Sequence, residues 1–240
     1  MSVYVIPDIH GHADELHRVL DLIERDDGPD AEVVFLGDYI DRGPDRRAVL
    51  DLLCNGVDAG KNWTCLKGNH DRMMAFFFAD PMRMDPQFLP GYDWFHPKLG
   101  GIATLASYGI EVTPKTSHLE LRKLADTLVP DRHISFVRDL KLTHIHGDLL
   151  FVHAGIRPGV ALEYQQEQDL VWIRQEFHRA TEPHPFLIVH GHTVVDQPTH
   201  YGNRVNLDAG AAFGRPLSVA VFEGQECWLL EPNGRVPLTP

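Results

Sequence analysis

The chain has 240 residues and a mass of 27.1 kDa, with 43% hydrophobic and 23% charged residues, which suits one globular domain. Its formal net charge is −12, from 34 acidic and 22 basic residues. This charge argues against nucleic acid or an anionic membrane as the main partner, although bound metal ions could reverse the local sign for a small anionic substrate.

The first part of the chain alternates short apolar runs with an amphipathic pattern. Apolar residues recur at helical spacing between Ala13 and Arg25, and short continuous apolar runs flank this segment. In chain order the predicted elements are a strand at Val3–Ile6, a helix at Ala13–Arg25, a strand at Glu32–Leu36, a helix at Arg46–Leu53 and a strand at Trp63–Leu66. Such alternation is typical of a layered α/β fold.

The middle of the chain is less regular. A helix is predicted to continue through Met73–Phe78, and a proline-rich segment around residues 80–100 follows it. Because Phe88, Trp94 and Phe95 must be covered, we interpret this segment as a structured loop or small cap inserted into the domain. Further helices are predicted around Ile102–Tyr108, Leu119–Leu128 and His133–Asp139.

The last third is predicted to be rich in strands. "LTHIHGDLLFV" has the pattern of a hairpin that turns at Gly147 and Asp148, and "FLIVHGHT" contains a buried strand. A helix is predicted over Leu170–Phe177. The segments "RVNLDAGA", "PLSVAVFEG" and "ECWLLEP" are predicted to form antiparallel strands. Residues 1–240 are therefore expected to form a single domain.

The cysteines indicate a reducing compartment. Cys54, Cys65 and Cys227 are too few and too scattered for a disulfide framework, and they lack metal-binding spacing. The first residues do not resemble a signal peptide, and no apolar run is long enough to span a bilayer. A cytoplasmic protein is the expectation.

Five of the apolar runs end in polar side chains that can bind metal. The clusters are "VIPDIHG", "FLGDYIDRG", "CLKGNHD", "FVHAG" and "IVHGHT". In open α/β sheets, ligands bind beyond the carboxyl ends of the strands, where the loops converge. Carboxylate, imidazole and amide groups without a thiolate suit a divalent metal such as Mn, Fe or Zn. The five strand ends therefore predict one metal site.

Each cluster taken alone has an ordinary explanation. An Asp after a Gly, such as Asp38, is more often a turn residue or a helix N-cap, and a lone histidine such as His153 is more often a core side chain. The same arrangement recurs at five strand ends, however, and turn formation does not require His and Asn together. Histidines outside these clusters lack repeated ligand spacing and are predicted to be surface or packing residues.

The motifs DxHG, GDxxDRG, GNH[DE], HAG and GH[TQ], in this order, resemble those of the calcineurin-like metallophosphoesterases. Arg42 of "DRG" narrows the resemblance to the PPP-type phosphatases, and "HAGIRP" and "WIR" are most similar to short bacterial members. The motifs extend from Asp8 to His192, about three-quarters of the chain. The resemblance implies a layered β-sandwich flanked by helices, with the metal site at the carboxyl ends of the strands.

The resemblance also implies a centre of two divalent metal ions, with manganese as the first expectation and iron or zinc as alternatives. The implied ligands are Asp8 and His10 for one ion, Asn69, His153 and His192 for the other, and Asp38 as the bridge between them. His190 has no counterpart that we would assign as a ligand.

The catalytic roles follow from the same motifs. Two cations roughly 3.5–4 Å apart would supply hydroxide for in-line attack on phosphorus. Arg42 would clamp the phosphate, and His70 would protonate the leaving oxygen while Asp41 orients it. Arg174 of "WIR" and Arg157 of "HAGIRP" are candidates for a second phosphate contact, and a solvated helix arginine is the alternative for Arg174.

These features predict a metal-dependent phosphoric ester hydrolase, first of all a protein phosphatase. A hydrolase of dinucleoside polyphosphates or of small phosphomonoesters is the alternative within the class. A pseudo-phosphatase that binds phosphorylated partners without turnover is the alternative outside it, although every ligand position, the acid and the arginine are intact. The expected partners are accordingly a phosphorylated protein, a small phosphate ester or a dinucleotide, and neither nucleic acid nor a membrane.

Overall fold

The computed structural model describes residues 2–89, 91–113 and 115–240. The strands in these ranges are β1 (Val3–Ile6), β2 (Glu32–Phe35), β3 (Trp63–Cys65), β4 (Thr143–His146), β5 (Leu149–Val152), β6 (Leu187–His190), β7 (Thr199–His200), β8 (Arg204–Asn206), β9 (Ala220–Glu223), β10 (Glu226–Glu231) and β11 (Gly234–Pro237). The helices are α1 (Ala13–Asp27), α2 (Arg46–Asp58), α3 (Asn69–Phe78), α4 (Gly101–Ala106), α5 (His118–Leu128), α6 (Asp131–Asp139), α7 (Glu167–Trp172) and α8 (Gln175–His178).

The strands form two mixed sheets. The first has the order β11-β10-β9-β1-β2-β3 and the second has the order β4-β5-β6-β8-β7. Within them β1, β2 and β3 are parallel, and so are β5, β6 and β8. Each parallel set places its carboxyl ends at one edge, so the loops that follow these strands can meet there.

Side-chain alternation builds the layers of the fold. Val3 and Val5 of β1 point toward the second sheet and pack in one cluster with Phe151 of β5. The intervening residues Tyr4 and Ile6 pack on the opposite face with the apolar stripes of α1 and α2. On the far side of the second sheet, β5 and β6 pack against α7 and α8. The predicted β-sandwich flanked by helices is confirmed.

Two predicted elements differ from the structure. The helix predicted over Leu170–Phe177 is split into α7 and α8, because Ile173 (ψ 143°) and Arg174 (ψ −99°) leave helical geometry. The break brings the Arg174 guanidinium close enough to Asp38 and Asp8 for their charges to act on it. The helical spacing of apolar residues could not predict this attraction.

The second difference is the direction of β8, which belongs to the segment predicted as antiparallel. β8 pairs antiparallel with β7, but its other neighbour is β6, and that pairing is parallel. A short apolar run carries no information about strand direction, so the sequence could not decide this. The parallel pairing brings the carboxyl end of β8 to the same edge as that of β6. The hairpin of β4 and β5 and the antiparallel pairing of β9 with β10 are confirmed, and the sequence analysis did not predict β11, which pairs antiparallel with β10.

The proline-rich segment lies between α3 and α4, and Pro90 within it is outside the described residues. The remainder contains turns but no helix or strand, and it buries Asp85 and Trp94. Whether it acts as a cap within a single domain stays a prediction. In the described ranges, none of the helices combines the length and apolar character needed to cross a membrane.

Candidate metal centre

The loops that follow the parallel strands converge at one edge of the sandwich, where the backbone of the site is strained. Non-glycine residues have positive φ at five positions in the described part of the chain, with φ between 47° and 69°. All five were selected from sequence as candidate site residues: His10, Asp38, Asp41, Arg42 and His192. Positive φ at non-glycine residues is uncommon and clusters at functional sites. The strained backbone therefore coincides with residues that the sequence predicted to belong to the site.

One group of ligand atoms surrounds His153, which is fully buried after β5. Its Nδ1 lies 2.9 Å from the Leu36 carbonyl oxygen and donates to it, so Nε2 carries a lone pair. That lone pair faces the Asn69 Oδ1 at 3.0 Å, the His192 Nδ1 at 3.2 Å and an Asp38 oxygen at 3.6 Å. Electron-rich atoms that face each other in a buried space fit a cation between them.

A second group surrounds His10, and it shares Asp38 with the first. The His10 Nδ1 donates to the Ile40 carbonyl oxygen at 2.8 Å, which leaves the Nε2 lone pair 3.4 Å from the other Asp38 oxygen. A histidine that ligates metal usually donates its second N–H to a carbonyl or carboxylate in this way. His70 also belongs to this group by distance. Asp38 thus lies between the two groups, the position predicted for a bridging ligand.

Asp8 lies beside these groups, together with a carboxylate that the sequence analysis did not select. The Asp8 Oδ1 accepts the backbone N–H of His192 at 3.0 Å. Burial raises the pKa of Asp8 well above its usual range, and the nearby carboxylate of Asp208 raises it further. Burial also raises the pKa of Asp38, and Asp8 contributes. Crowded buried carboxylates of this kind are expected where a cation compensates their charge.

Asp71 links the loop after β2 to the start of α3. Its carboxylate accepts the backbone N–H groups of Asp38 at 2.7 Å, Tyr39 at 3.1 Å and Gly68 at 2.9 Å. In turn, the Asp38 Oδ1 accepts the backbone N–H of His70 at 2.9 Å. The loop after β2 and the start of α3 are therefore fastened to each other through two buried carboxylates.

His70, which reaches the group around His10, also forms a buried pair with Asp41. The His70 Nδ1 donates to Asp41 at 2.6 Å, and Asp41 also accepts from the Trp94 indole at 3.0 Å and from the Thr104 hydroxyl. Burial raises the pKa of Asp41 to about 7, although the hydrogen bonds from Thr104 and Trp94 oppose this rise. Burial and the charge of Arg42 lower the pKa of His70.

The three candidate phosphate contacts have different surroundings. Arg42 donates to the Nε2 atoms of His10 and His70, each at 3.2 Å, so its guanidinium lies directly at the site. Arg174 is exposed, and desolvation lowers its pKa while the charges of Asp38 and Asp8 raise it. The Arg157 guanidinium instead pairs with Asp169 at 2.6 Å and Glu176 at 2.8 Å. Its assignment to phosphate stays a prediction that the contacts do not favour.

Sequence reasoning missed four residues of this site. They are Asp71, which accepts hydrogen bonds from the loop backbones, Asp208 beside Asp8, and Trp94 and Thr104, which donate to Asp41. A signal existed for Asp208, because it follows the apolar strand of "RVNLDAG" as the other carboxylates follow theirs. No local signal existed for Trp94 or Thr104, which meet Asp41 across 53 and 63 residues of sequence. His190 is fully buried, and its Nε2 lies 3.2 Å from an Arg204 nitrogen, outside both ligand groups.

Comparisons with known proteins show which proteins this chain is similar to. The asymmetrical bis(5'-nucleosyl)-tetraphosphatase PrpE of Bacillus velezensis is 25% identical over 258 residues, covering 97% of this chain and 94% of that protein. The symmetrical bis(5'-nucleosyl)-tetraphosphatase of Nitrosospira multiformis is 25% identical over 189 residues, covering 78% of this chain and 54% of that protein.

A crystal structure of a proposed diadenosine tetraphosphatase superposes with a TM-score of 0.61, covering 99% of this chain and 94% of that one, at 20% identity, which shows a shared fold. A family model described as calcineurin-like phosphoesterase matches residues 1–221. Together with the two ligand groups, this match identifies the chain as a member of the calcineurin-like phosphoesterase family and a metal-dependent hydrolase of phosphate esters.

Proposed function

We propose that this enzyme hydrolyses dinucleoside polyphosphates, and that it does so with two divalent metal ions, manganese being the first expectation. The relative from Bacillus velezensis supports this substrate, because the alignment covers almost all of both chains. The sequence motifs alone favoured a protein phosphatase and kept the dinucleotide as the alternative. Both tetraphosphatase relatives favour the alternative, so it becomes the main proposal.

The observation that carries the proposed site is the sharing of Asp38 by two electron-rich groups. Its two carboxylate oxygens face the Nε2 atoms of His10 and His153, at 3.4 and 3.6 Å. We assign Asp8 and His10 to one ion, Asn69, His153 and His192 to the other, and Asp38 to both. Divalent cations held there would polarise phosphoryl oxygens and lower the pKa of a bound water.

The side chains around the two groups would bind the substrate and move protons. The guanidinium of Arg42 can exchange its contacts with His10 and His70 for two phosphate oxygens, because a planar fork matches that geometry. Arg174 lies within reach of the same carboxylates and would hold a second phosphate of a polyphosphate chain. The exposed position of Arg174 suits an extended substrate.

His70 would deliver the proton to the leaving oxygen from Nε2. Asp41 accepts from Nδ1 at 2.6 Å and so fixes the orientation of the ring. Burial and Arg42 hold the pKa of His70 low in the free protein, whereas an anionic phosphate on Arg42 would supply the negative charge that favours the imidazolium. Substrate binding would thus favour the protonated form of His70, which is the form that acts as an acid.

We also propose that the protein works in the reducing cytoplasm, a location that its three free, buried cysteines support.

The proposal is tested with protein stripped of metal by a chelator and then reloaded with Mn²⁺. We expect activity to disappear and return, and kcat/KM to be higher for diadenosine tetraphosphate than for a phosphoserine peptide or for 4-nitrophenyl phosphate. Asp38→Asn is the matched variant, and it should lose both metal ions and turnover. Full activity after complete chelation would contradict the metal centre. A higher kcat/KM for the peptide would instead favour a protein phosphatase.

A further inference from the structure

An exposed aromatic ring lies against the guanidinium that we assign to phosphate binding. Phe213 is 68% exposed, and the Arg42 guanidinium carbon lies 5.4 Å from the centre of its ring. Single exposed apolar side chains are common on protein surfaces. This one differs because the guanidinium over its ring, that of Arg42, also contacts His10 and His70. The ring therefore borders the metal centre and still offers a face to solvent.

The backbone around Phe213 presents the ring on an anchored turn. The ring belongs to a short 3-10 turn flanked by Gly210 (φ 93°) and Gly214 (φ 80°), both in the left-handed region that favours glycine. The Phe213 N–H donates to the Gly210 carbonyl oxygen at 2.9 Å, and the Gly210 N–H donates to the Asp208 carboxylate at 2.9 Å. An Arg215 nitrogen also donates to the Ala209 carbonyl oxygen at 3.1 Å. The turn thus leads directly from the carboxylate beside Asp8 to the exposed ring.

We propose that Phe213 is the stacking platform for a nucleobase of the substrate, an inference that rests on the proposed dinucleotide function. A phosphate held by Arg42 would place the attached nucleoside next to this ring. Bases stack readily on aromatic side chains because each presents a π-face, and the interaction tolerates different bases. Phe213 offers no hydrogen bond, so the platform would favour nucleotides over plain phosphate without selecting one base.

The test compares Phe213→Ala with Phe213→Tyr, which keeps a ring, and with Tyr164→Ala. Tyr164 is the matched control because it is 69% exposed and has neither an aromatic nor a guanidinium partner in the described part of the chain. With the Mn²⁺-loaded protein, one measures inhibition of 4-nitrophenyl phosphate hydrolysis by AMP and by inorganic phosphate. For Phe213→Ala, the inhibition constant of AMP should rise about 5- to 100-fold more than that of phosphate, as expected for the loss of base stacking. Phe213→Tyr and Tyr164→Ala should remain near the parent protein.

Equal increases for AMP and phosphate would overturn the proposal, because they would show that Phe213 acts solely by supporting Arg42. A second readout does not depend on turnover. In Phe213→Trp, AMP should change the emission of the new indole, relative to the parent protein, and inorganic phosphate should not. Identical responses to both ligands would again overturn the platform. If the parent protein binds AMP through Phe213 but does not hydrolyse diadenosine tetraphosphate, the proposed function fails and the platform survives.

Discussion

Arg42 illustrates how individual residues of this site accept an unfavourable backbone. Its φ is 56°, a conformation in which a non-glycine residue costs on the order of 1–3 kcal/mol. Glycine would remove that strain, but it would also remove the guanidinium. The same conflict exists at His10, Asp38, Asp41 and His192. Under the proposed function these positions retain side chains because metal binding and catalysis need them, so the site is expected to lower the stability of the fold.

A pair of substitutions at Arg42 tests this strain. Both Arg42→Ala and Arg42→Gly remove the guanidinium, but only glycine accepts a φ of 56° without penalty. We therefore expect Arg42→Gly to unfold in urea with a free energy about 1 kcal/mol higher than that of Arg42→Ala. Both variants should raise KM and lower kcat. The usual order, in which alanine is the more stable variant, would show that the backbone at Arg42 is not strained.

His70 provides a second prediction, which separates proton transfer from metal binding. His70→Asn should retain the metal content of the parent protein and lose about 10²–10⁴ in rate, the usual contribution of a positioned general acid. The loss should be larger for an alkyl phosphate such as phosphoserine than for 4-nitrophenyl phosphate, because nitrophenolate leaves with little protonation. Rates on both esters and metal analysis of the variant decide this. Since His70 lies near His10 and Asp38, a lost metal ion would instead make it a ligand.

Among the secondary-structure elements, β2 and β3 are followed by loops that approach each other closely. Gly37 follows β2 and Gly68 follows β3, and a Cβ on either would overlap atoms of the facing loop. At Gly68 the overlap would be with the Asp38 carboxylate. The absence of two Cβ atoms therefore allows Asp38, the proposed bridging ligand, to lie next to the start of α3. At Gly68 glycine is required for space and not for backbone conformation, since its φ is −89°.

Gly68→Ala should for this reason displace Asp38 and reduce the metal content, while the helices and strands remain. Gly224→Ala is the control, because it substitutes a glycine of the β9–β10 turn that has no atoms near its Cβ position. We expect the control to lose some stability, since Gly224 has a φ of 61°, but to keep its metal. Metal analysis after Mn²⁺ loading measures the difference. Equal metal content in the two variants would contradict the role of this close approach.

On the scale of the whole molecule, burial of weak acids links stability to alkaline pH. Burial raises the pKa of the Cys54 thiol to about 11 and that of the Cys65 and Cys227 thiols to about 12. The hydroxyl pKa of Tyr39 is also raised by burial. An unfolded thiol ionises near pH 8.5. Between that pH and the raised values, the unfolded chain releases protons that the folded chain keeps.

The protein should accordingly lose stability as the pH rises above about 8.5, because its thiols then ionise in the unfolded chain while they stay protonated in the folded one. Each thiol contributes a slope of up to about 1.4 kcal/mol per pH unit in this window. Urea unfolding of the metal-free protein between pH 7 and 11 measures the effect, and Cys227→Ala should make the slope shallower. A midpoint that stays constant to pH 11 would show that these thiols do not titrate differently in the two states.

The sequence by itself determined the layered fold and the set of candidate ligands, because both depend on local patterns. Apolar runs of four or five residues predict strands, and the polar residues that follow lie within a few positions of each strand end. For this reason His10, Asp38 and His153 could be selected without coordinates, and the structure brings them together.

The tertiary structure alone decided the features that depend on distant parts of the chain. Trp94 contacts Asp41 across 53 residues, and the parallel pairing of β8 with β6 brings Asp208 beside Asp8. The sequence offered both Arg174 and Arg157 as phosphate contacts, with Arg157 the weaker candidate. In the structure Arg157 is engaged by Asp169, whereas Arg174 lies at the break between α7 and α8, within range of the charges of Asp38 and Asp8. Strand direction, helix breaks and charge pairing are set by contacts formed on folding, and local periodicity carries no record of them.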